Sequence, residues 1–597
     1  VPVAQVRANR VGVDTGGTFT DLVVDDGRVV KVPSTPHDPA GAVHDACAGT
    51  GAALQVLAHG TTVATNALLE RKLARVALVT TRGFADVLEI ARQARPSLYD
   101  PHVDRPTALV PRALRFEVSG RLDATGAELE PFDGFVPDLG PVDAVAVCLL
   151  HADLDPGHER AVATTLRARG VGEIVCSHEV SPEFREYERM VTTVADAALR
   201  PVCAGYLDRL DGMADDVLVM TSAGGLVPLA DAAAHPARLL LSGPAAGVRA
   251  AAAVATACGL PDAVSFDMGG TSTDVCLVQG GVPDPATTLL VAGLPMRLPS
   301  LAVHTVGAGG GSIARLDAGG ALVVGPESAG ARPGPAAYGA GGTAATVTDA
   351  DLVLGRIPAD SALPGLGRLD VDAARAALER ARATADDVVA VVDAAMARAV
   401  RVVTVEHGID PRDLALVAFG GAGPLHACAI ADLLGMRTVI VPPRAGVFSA
   451  VGLLCSPEQR ELVQTWPTPA SRDGLPAARA ALAARAMALL PGGDVESWLD
   501  CRYAGQSYEL AAREVDDFVA EHERRNGFAR PGSPVEVVAL RARVSRPSPL
   551  TVEDLPPITR ARVTGPAVVP EADCTVWIPP GWVAEPGPTG AWVVRRR

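Results

Sequence analysis

VGVDTGGTFTDLVV, residues 11 to 24, and VSFDMGGTSTDVCLV, residues 264 to 278, decide how this sequence is read. Both contain Asp-x-Gly-Gly-Thr-x-Thr-Asp, from Asp14 to Asp21 and again from Asp267 to Asp274, displaced by 253 positions. Each copy is a short β-branched strand, a glycine turn and a second strand, the pattern of a β-hairpin with a tight polar turn. One such turn is ordinary; two matching octapeptides in one chain are improbable by coincidence. The backbone N–H groups of Gly16 and Gly17 are unshielded and can converge on an anion, and Thr15, Thr18 and Thr20 add hydroxyl donors. The second copy offers Gly269, Gly270, Thr271 and Thr273. The sequence therefore predicts two phosphate-binding hairpins facing each other. Asp14 and Asp267 are the candidate catalytic carboxylates and candidate Mg²⁺ ligands, because a hard oxygen anion there can hold a cation that bridges phosphate oxygens. Asp21 and Asp274 read as structural.

Working outward, LVAFGGAGPLH (416–426) carries an apolar strand into Gly420, Gly421, Ala422 and Gly423 and then a helix-like run. Backbone exposed at such a junction can accept a purine and ribose, so Gly420, Gly421 and Gly423 are candidate nucleoside contacts. GAGGGS (307–312) and SGPAAG (242–247) are weaker versions of the same signal. His59 with Thr61, Thr62 and Asn66 is a polar cluster able to orient a small substrate or a water; the alternative is a satisfied histidine at a helix start. His304 and His426 adjoin glycine-rich segments and read as cleft-lining groups, not metal ligands. Arg92 and Arg95 read as a carboxylate clamp or, preferably, a solvated helix face.

Composition bounds the rest. At 597 residues the chain has room for about four structural units. A net charge of -16 argues against nucleic acid or an anionic membrane surface as partner. Lys31 and Lys72 are the only lysines, and neither follows a glycine, which excludes a Walker A loop. The scarcity fits a site in which amides, threonine hydroxyls and aspartate-held Mg²⁺ manage phosphates with little need of lysine. Ten cysteines without a C-x-x-C pair exclude a zinc ribbon and a thioredoxin motif. His158-Glu159 and His178-Glu179 do not extend to H-E-x-x-H, which excludes a zincin. No signal-like segment opens the chain, and the apolar run at 250–260 is too short for a membrane span, so a soluble cytoplasmic protein is expected.

Taken together, the motifs resemble the hydantoinase A/5-oxoprolinase family along nearly the whole chain. The resemblance is carried by VGVDTGGTFTD (11–21), HGTTVATNALLERK (59–72), SHEVSPEFREYER (177–189), LSGPAAG (241–247), SFDMGGTSTDV (265–275), HTVGAGGGSIA (304–314), AFGGAGPLHA (418–427) and RYAGQSYEL (502–510). It implies an α/β fold of two duplicated RNase H-like lobes, as in the actin, Hsp70 and sugar-kinase ATPase superfamily, with ATP and Mg²⁺ in the cleft. It implies ATP-driven opening of a lactam or cyclic imide, or carboxylation of a ketone, with a hydantoinase B-like second subunit as partner and a small cyclic amide as substrate. A non-enzymatic nucleotide switch is the remaining alternative. Gly120, Val191 and Asp196 depart from the family pattern, which bears on the substrate if those positions touch it. The expected layout is a first ATPase lobe at 1–180, a second at 181–455 and a C-terminal α+β domain at 456–597.

Overall fold

The computed structural model describes residues 10–17, 19–35, 38–51, 53–363 and 367–597 and shows a mixed α/β protein built around two large sheets. In the first, β1 (Arg10–Thr15) and β2 (Phe19–Val24) form an antiparallel hairpin, and β2 pairs antiparallel with β3 (Val29–Pro33). On its other side β1 runs parallel to β4 (Val56–Thr61), and β4 parallel to β5 (Asp216–Met220). The second sheet repeats this order. Strand β6 (Ala263–Met268) pairs antiparallel with β7 (Thr273–Gln279), which pairs with Val282–Pro283 and with β8 (His304–Val306). Beyond β6 come β9 (Ala415–Phe419) and β10 (Thr438–Val441), both parallel. Valines dominate the inner strands because β-branched side chains suit a sheet covered on both faces; Val11, Val13, Val264 and Val417 are fully buried.

Six helices frame the cleft and its supports: α1 (Glu186–Leu207), α2 (Ser242–Ala257), α3 (Val347–Val353), α4 (Ala385–Val403), α5 (Gly423–Leu434) and α6 (Phe448–Cys455). Helices α2 and α6 cross between the sheets at backbone contact. A methyl group at Gly452 would stand 2.1 Å from the Ala246 carbonyl oxygen, and one at Gly12 of β1 would stand 2.1 Å from that of Ala450. Only glycine permits this approach. The Ala-rich run at 250–260 largely lies in α2, packed into the core, and no helix among the described residues is long and apolar enough to cross a membrane.

The sheets do not respect the expected boundaries. Strand β5 lies beside β4 and α1 packs into the first core, so the first lobe continues past residue 180. The segment 456–597 is divided between the lobes. Glu458–Thr465, Asp494–Tyr503, Leu510–Ala512 and Val535–Arg546 extend the first sheet and share a core under the helix Leu475–Leu489. Val563–Thr564, Trp582–Pro586 and Trp592–Arg596 extend the second sheet, and Trp582 and Trp592 join its core. The physical reason is that a sheet edge presents unpaired amides and carbonyls, and these strands cover one edge of each sheet. The stretch 318–348, which reads as one long loop, contains the strand Leu322–Ser328 paired with Ser312–Leu316; glycine and alanine dilute its alternation.

The helix crossing gives a direct test. Gly452→Ala should lower stability by about 1–3 kcal/mol in denaturant titration, the usual cost of overpacking. Gly205→Ala in α1, where an added methyl meets nothing within 4 Å, should be neutral or stabilising.

Candidate active site

The two octapeptides form superimposable turns down to their hydrogen bonds. Gly16 N–H donates to the Phe19 carbonyl and Gly269 N–H to the Ser272 carbonyl, each at 3.0 Å. These two amides close their own turns, which corrects the expectation that they point at an anion. Gly17, Gly270 and Thr271 remain exposed at the turn tips, and Thr18 lies outside the described residues.

Strand alternation separates aspartates from threonines. Asp14 pairs with Asp21 and Thr15 with Thr20, and successive residues point to opposite faces. Thr15, Thr20 and Thr273 are buried, with the Thr20 hydroxyl 3.2 Å from that of Ser34 and the Thr273 hydroxyl donating to the Ala308 carbonyl at 2.7 Å. The Thr20 and Thr273 hydroxyls serve the fold, a correction for those two, whereas the Thr15 hydroxyl is buried without a hydrogen-bond partner. Thr271 is the one described threonine of the set that is exposed.

Asp14 and Asp267, one from each hairpin, lie close enough that the charge of Asp14 is felt at Asp267. Asp14 Oδ1 is buried without a hydrogen-bond partner, against Gly60 of β4 and Gly243 in the first turn of α2. A methyl on either glycine would approach that oxygen to 3.0 and 3.2 Å. Burial, with Asp21 and Asp274 adding like charge, pushes the Asp14 carboxyl up to about 7. Asp267 accepts from the Ser449 hydroxyl at 3.3 Å, and its other oxygen lies where a Gly420 side chain would be, 2.4 Å from that position. Burial, then Asp274 and Asp14, raise it to about 8. Asp274 accepts from Thr305 at 2.5 Å, and Asp21 is paired with Lys31 at 2.8 Å. Buried oxygens lacking donors, clustered among like charges, are the donor chemistry of a hard divalent cation, so the residues fit Mg²⁺.

The other glycine elements assemble around the second hairpin. Gly420, at φ +79°, donates to the Ala445 carbonyl at 2.9 Å, and Ala422 donates to that of Met268 at 3.0 Å. Gly421 is exposed and Gly423 begins α5, so the loop is bound to the end of β6. Gly310 and Gly311 donate to the Gly269 and Gly270 carbonyls at 3.0 and 2.6 Å, which makes 307–312 a splint for the turn. SGPAAG is the start of α2.

His59 is not a substrate group. It is fully buried, with Nδ1 3.0 Å from the Val13 carbonyl and Nε2 2.5 Å from the Tyr206 hydroxyl, and burial pushes it down to about 4. Thr61 is buried beside it. Thr62 donates to the Thr15 carbonyl at 3.2 Å and accepts from the exposed Asn66, so these two sit at the edge of the first hairpin. His426 is buried between Asp393 (2.7 Å) and Asp351 (3.1 Å), which hold it protonated, raised to about 10, and tie α5 to α4 and α3. Arg92 pairs with Glu188 of α1. Sequence reasoning missed Lys31, Ser449 and Asp573, the last of which adds to the charge at Asp21. The signal for Gly60 and Gly243 was present, since they belong to the motifs HGTTVATNALLERK and LSGPAAG.

A family model described as hydantoinase/oxoprolinase N-terminal region matches residues 10–170, and one described as hydantoinase/oxoprolinase matches residues 189–461. The chain belongs to the hydantoinase/oxoprolinase family. It is 33% identical to the caprolactamase subunit alpha of Pseudomonas jessenii over 98% of both chains. It is 36% identical to 5-oxoprolinase 1 of Arabidopsis thaliana, over 74% of this chain and 41% of that one. The crystal structure of the ATP-dependent caprolactamase from Pseudomonas jessenii superposes with a TM-score of 0.86 at 30% identity, covering 98% of this chain and 100% of that one. Of the positions that depart from the family pattern, Val191 and Asp196 are core residues of α1, Asp196 accepting from the Ala237 N–H at 3.0 Å. Gly120 sits at φ +98° against His158, a conformation that favours glycine.

The raised carboxyls make a stability prediction. Because Asp14 and Asp267 hold protons to higher pH than in the unfolded chain, they cost stability as pH rises from about 4 towards 8. In EDTA at pH 8, Asp14→Asn and Asp267→Asn should each melt about 2 °C or more above the unsubstituted protein, with the gain gone at pH 4. Excess Mg²⁺ should raise the melting temperature of the unsubstituted protein and not that of the double variant.

Proposed function

We propose that this chain is the ATP-binding subunit of an enzyme that opens a lactam or cyclic imide, such as 5-oxoproline, a hydantoin or caprolactam. The observation that carries this reading is the facing pair of Asp-Gly-Gly-Thr hairpins, whose buried carboxyls lack cationic partners of their own apart from the Lys31–Asp21 pair among the described residues. The likeness to caprolactamase and 5-oxoprolinase supports the substrate class. In this reading the repeated strand order marks two RNase H-like lobes of the actin, Hsp70 and sugar-kinase type. The exposed turn tips at Gly17, Gly270 and Thr271 take the phosphates, and the loop at Gly420, Gly421 and Gly423 takes the nucleoside. Asp14 and Asp267 hold Mg²⁺, which when bound neutralises phosphate oxygens during transfer.

The chemistry follows from the weakness of an amide as an electrophile. The ring carbonyl oxygen attacks the γ-phosphorus, an O–P bond forms, the bridging P–O bond breaks and ADP leaves with its electron pair. A first water adds to the activated ring carbon, the C–N bond of the tetrahedral centre breaks with the nitrogen taking a proton, and a second water hydrolyses the acyl phosphate so formed to the carboxylate of the amino acid and free phosphate. Asp14 and Asp267 orient the phosphoryl group in line with the acceptor, Ser449 fixing Asp267 and the walls at Gly60 and Gly243 fixing Asp14. Exclusion of water from the buried carboxyl pair protects ATP from simple hydrolysis. We place the enzyme in the cytoplasm, with a hydantoinase B-like subunit completing the hydrolytic step.

The test is phosphate release from ATP by the chain with that subunit, against a panel of 5-oxoproline, hydantoins, lactams and ketones. Stimulation by a cyclic amide is expected; stimulation only by a ketone with bicarbonate would instead establish a carboxylase, and stimulation by none would refute both. Asp14→Ala and Asp267→Ala should each lower kcat by about 100-fold or more without unfolding the protein.

A further inference from the structure

The two hairpins differ in the side chain that ends their row of aspartates. On the first sheet Asp14 pairs with Asp21 and Asp21 with Lys31, a row of three side chains on one face. On the second sheet the equivalent row is Asp267, Asp274 and Thr305. The internal repeat therefore ends in an ammonium on one side and a hydroxyl on the other. The face carrying these rows is the cleft face, since Asp14 and Asp21 both add charge to the environment of Asp267.

Lysine is almost absent from this chain. Its cations number 53, and all but Lys31 and Lys72 are arginine. Lys72 is an exposed side chain paired with Glu70. Lys31 is four-fifths buried, its ammonium 2.8 Å from Asp21 Oδ1 and 4.8 Å from the centre of the Phe19 ring. Its charge is felt at Asp14 and at Asp573, so one ammonium stands among three carboxylates. A structural ion pair needs no lysine where arginine is used almost everywhere else. A compact ammonium with three rotatable donors can engage phosphate oxygens as a point charge.

We propose that Lys31 contacts the polyphosphate of the bound nucleotide, with Asp21 and Phe19 steering its ammonium into the cleft. Lys31 then supplies the positive charge that the hairpin amides and the aspartates do not. This assignment rests on the proposed nucleotide site and goes beyond it, since neither the repeat nor the glycine loop contains Lys31. The asymmetry gives the cleft a direction: the phosphates meet a fixed cation on the first sheet and only hydroxyl and amide donors on the second.

Two measurements test it. The first is titration calorimetry of the full chain with MgATP, MgADP and adenosine for the unsubstituted protein, Lys31→Met and Lys31→Arg. Lys31→Met should weaken MgATP about tenfold or more, adenosine should bind as before, and Lys31→Arg should recover most of the MgATP affinity. Equal loss of adenosine and MgATP, or no loss of MgATP, would overturn the proposal in favour of a structural ion pair. The second needs no variant: the chain is acylated with a small amine-reactive reagent and its two lysines are followed by peptide mass spectrometry. Saturating MgATP should slow labelling of Lys31 and leave Lys72 unchanged, whereas adenosine should protect neither. Unchanged labelling of Lys31 under saturating MgATP would also overturn it. Failure of the unsubstituted protein to bind MgATP would instead sink the nucleotide reading itself.

Discussion

The close crossing of α2 and α6 is the constraint on which the cleft depends. Each helix presents its first turn to one of the two aspartates: Gly243 of α2 backs Asp14, and Ser449 of α6 holds Asp267. The distance between the carboxyls is therefore set by how closely two backbones pack, and that is set by Gly247, Gly452 and Gly12 having no side chain. Interiors transmit such displacements because they are packed as densely as crystals. A methyl group many residues from either aspartate acts on the site through this crossing. The glycines of these motifs therefore set the geometry of the aspartate pair.

The site is assembled against the preferences of its own side chains. Carboxyls are buried beside carboxyls and raised towards and above neutrality, and Asp14 Oδ1 has no donor. A fold selected for stability alone would replace them with amides. What holds them is the surrounding framework: parallel strands β4 and β9 on one side, the splint of glycines at 309–311 on the other, and the cationic His426 locking α3, α4 and α5 beneath the Gly420 loop.

The repeated octapeptide made the hairpins, the two facing aspartates and the family legible in the sequence, because duplication leaves a visible offset. The threonines misled for a reason of geometry: in a strand they alternate with the aspartates, so the same motif that aims Asp14 into the cleft turns Thr15 and Thr20 away from it. His59 misled because a histidine beside hydroxyls looks alike whether it faces a substrate or bridges a strand to a tyrosine. Lys31 stood out by composition but not as a site residue, because it lies outside the repeat and its partner in space, Asp21, is fixed by register and not by spacing. The layout of residues 456–597 was illegible for a similar reason, since which sheet a strand joins is decided by the edge left open to it.

That last point bears on synthesis. Strand Trp592–Arg596 hydrogen-bonds to β10 on one side and to Trp582–Pro586 on the other, although β10 is complete by residue 441. While the intervening chain emerges from the ribosome, β10 is an open apolar edge beside β9, the kind of surface that recruits strands from other molecules. The second sheet is therefore completed late, by strands made long after its hairpin.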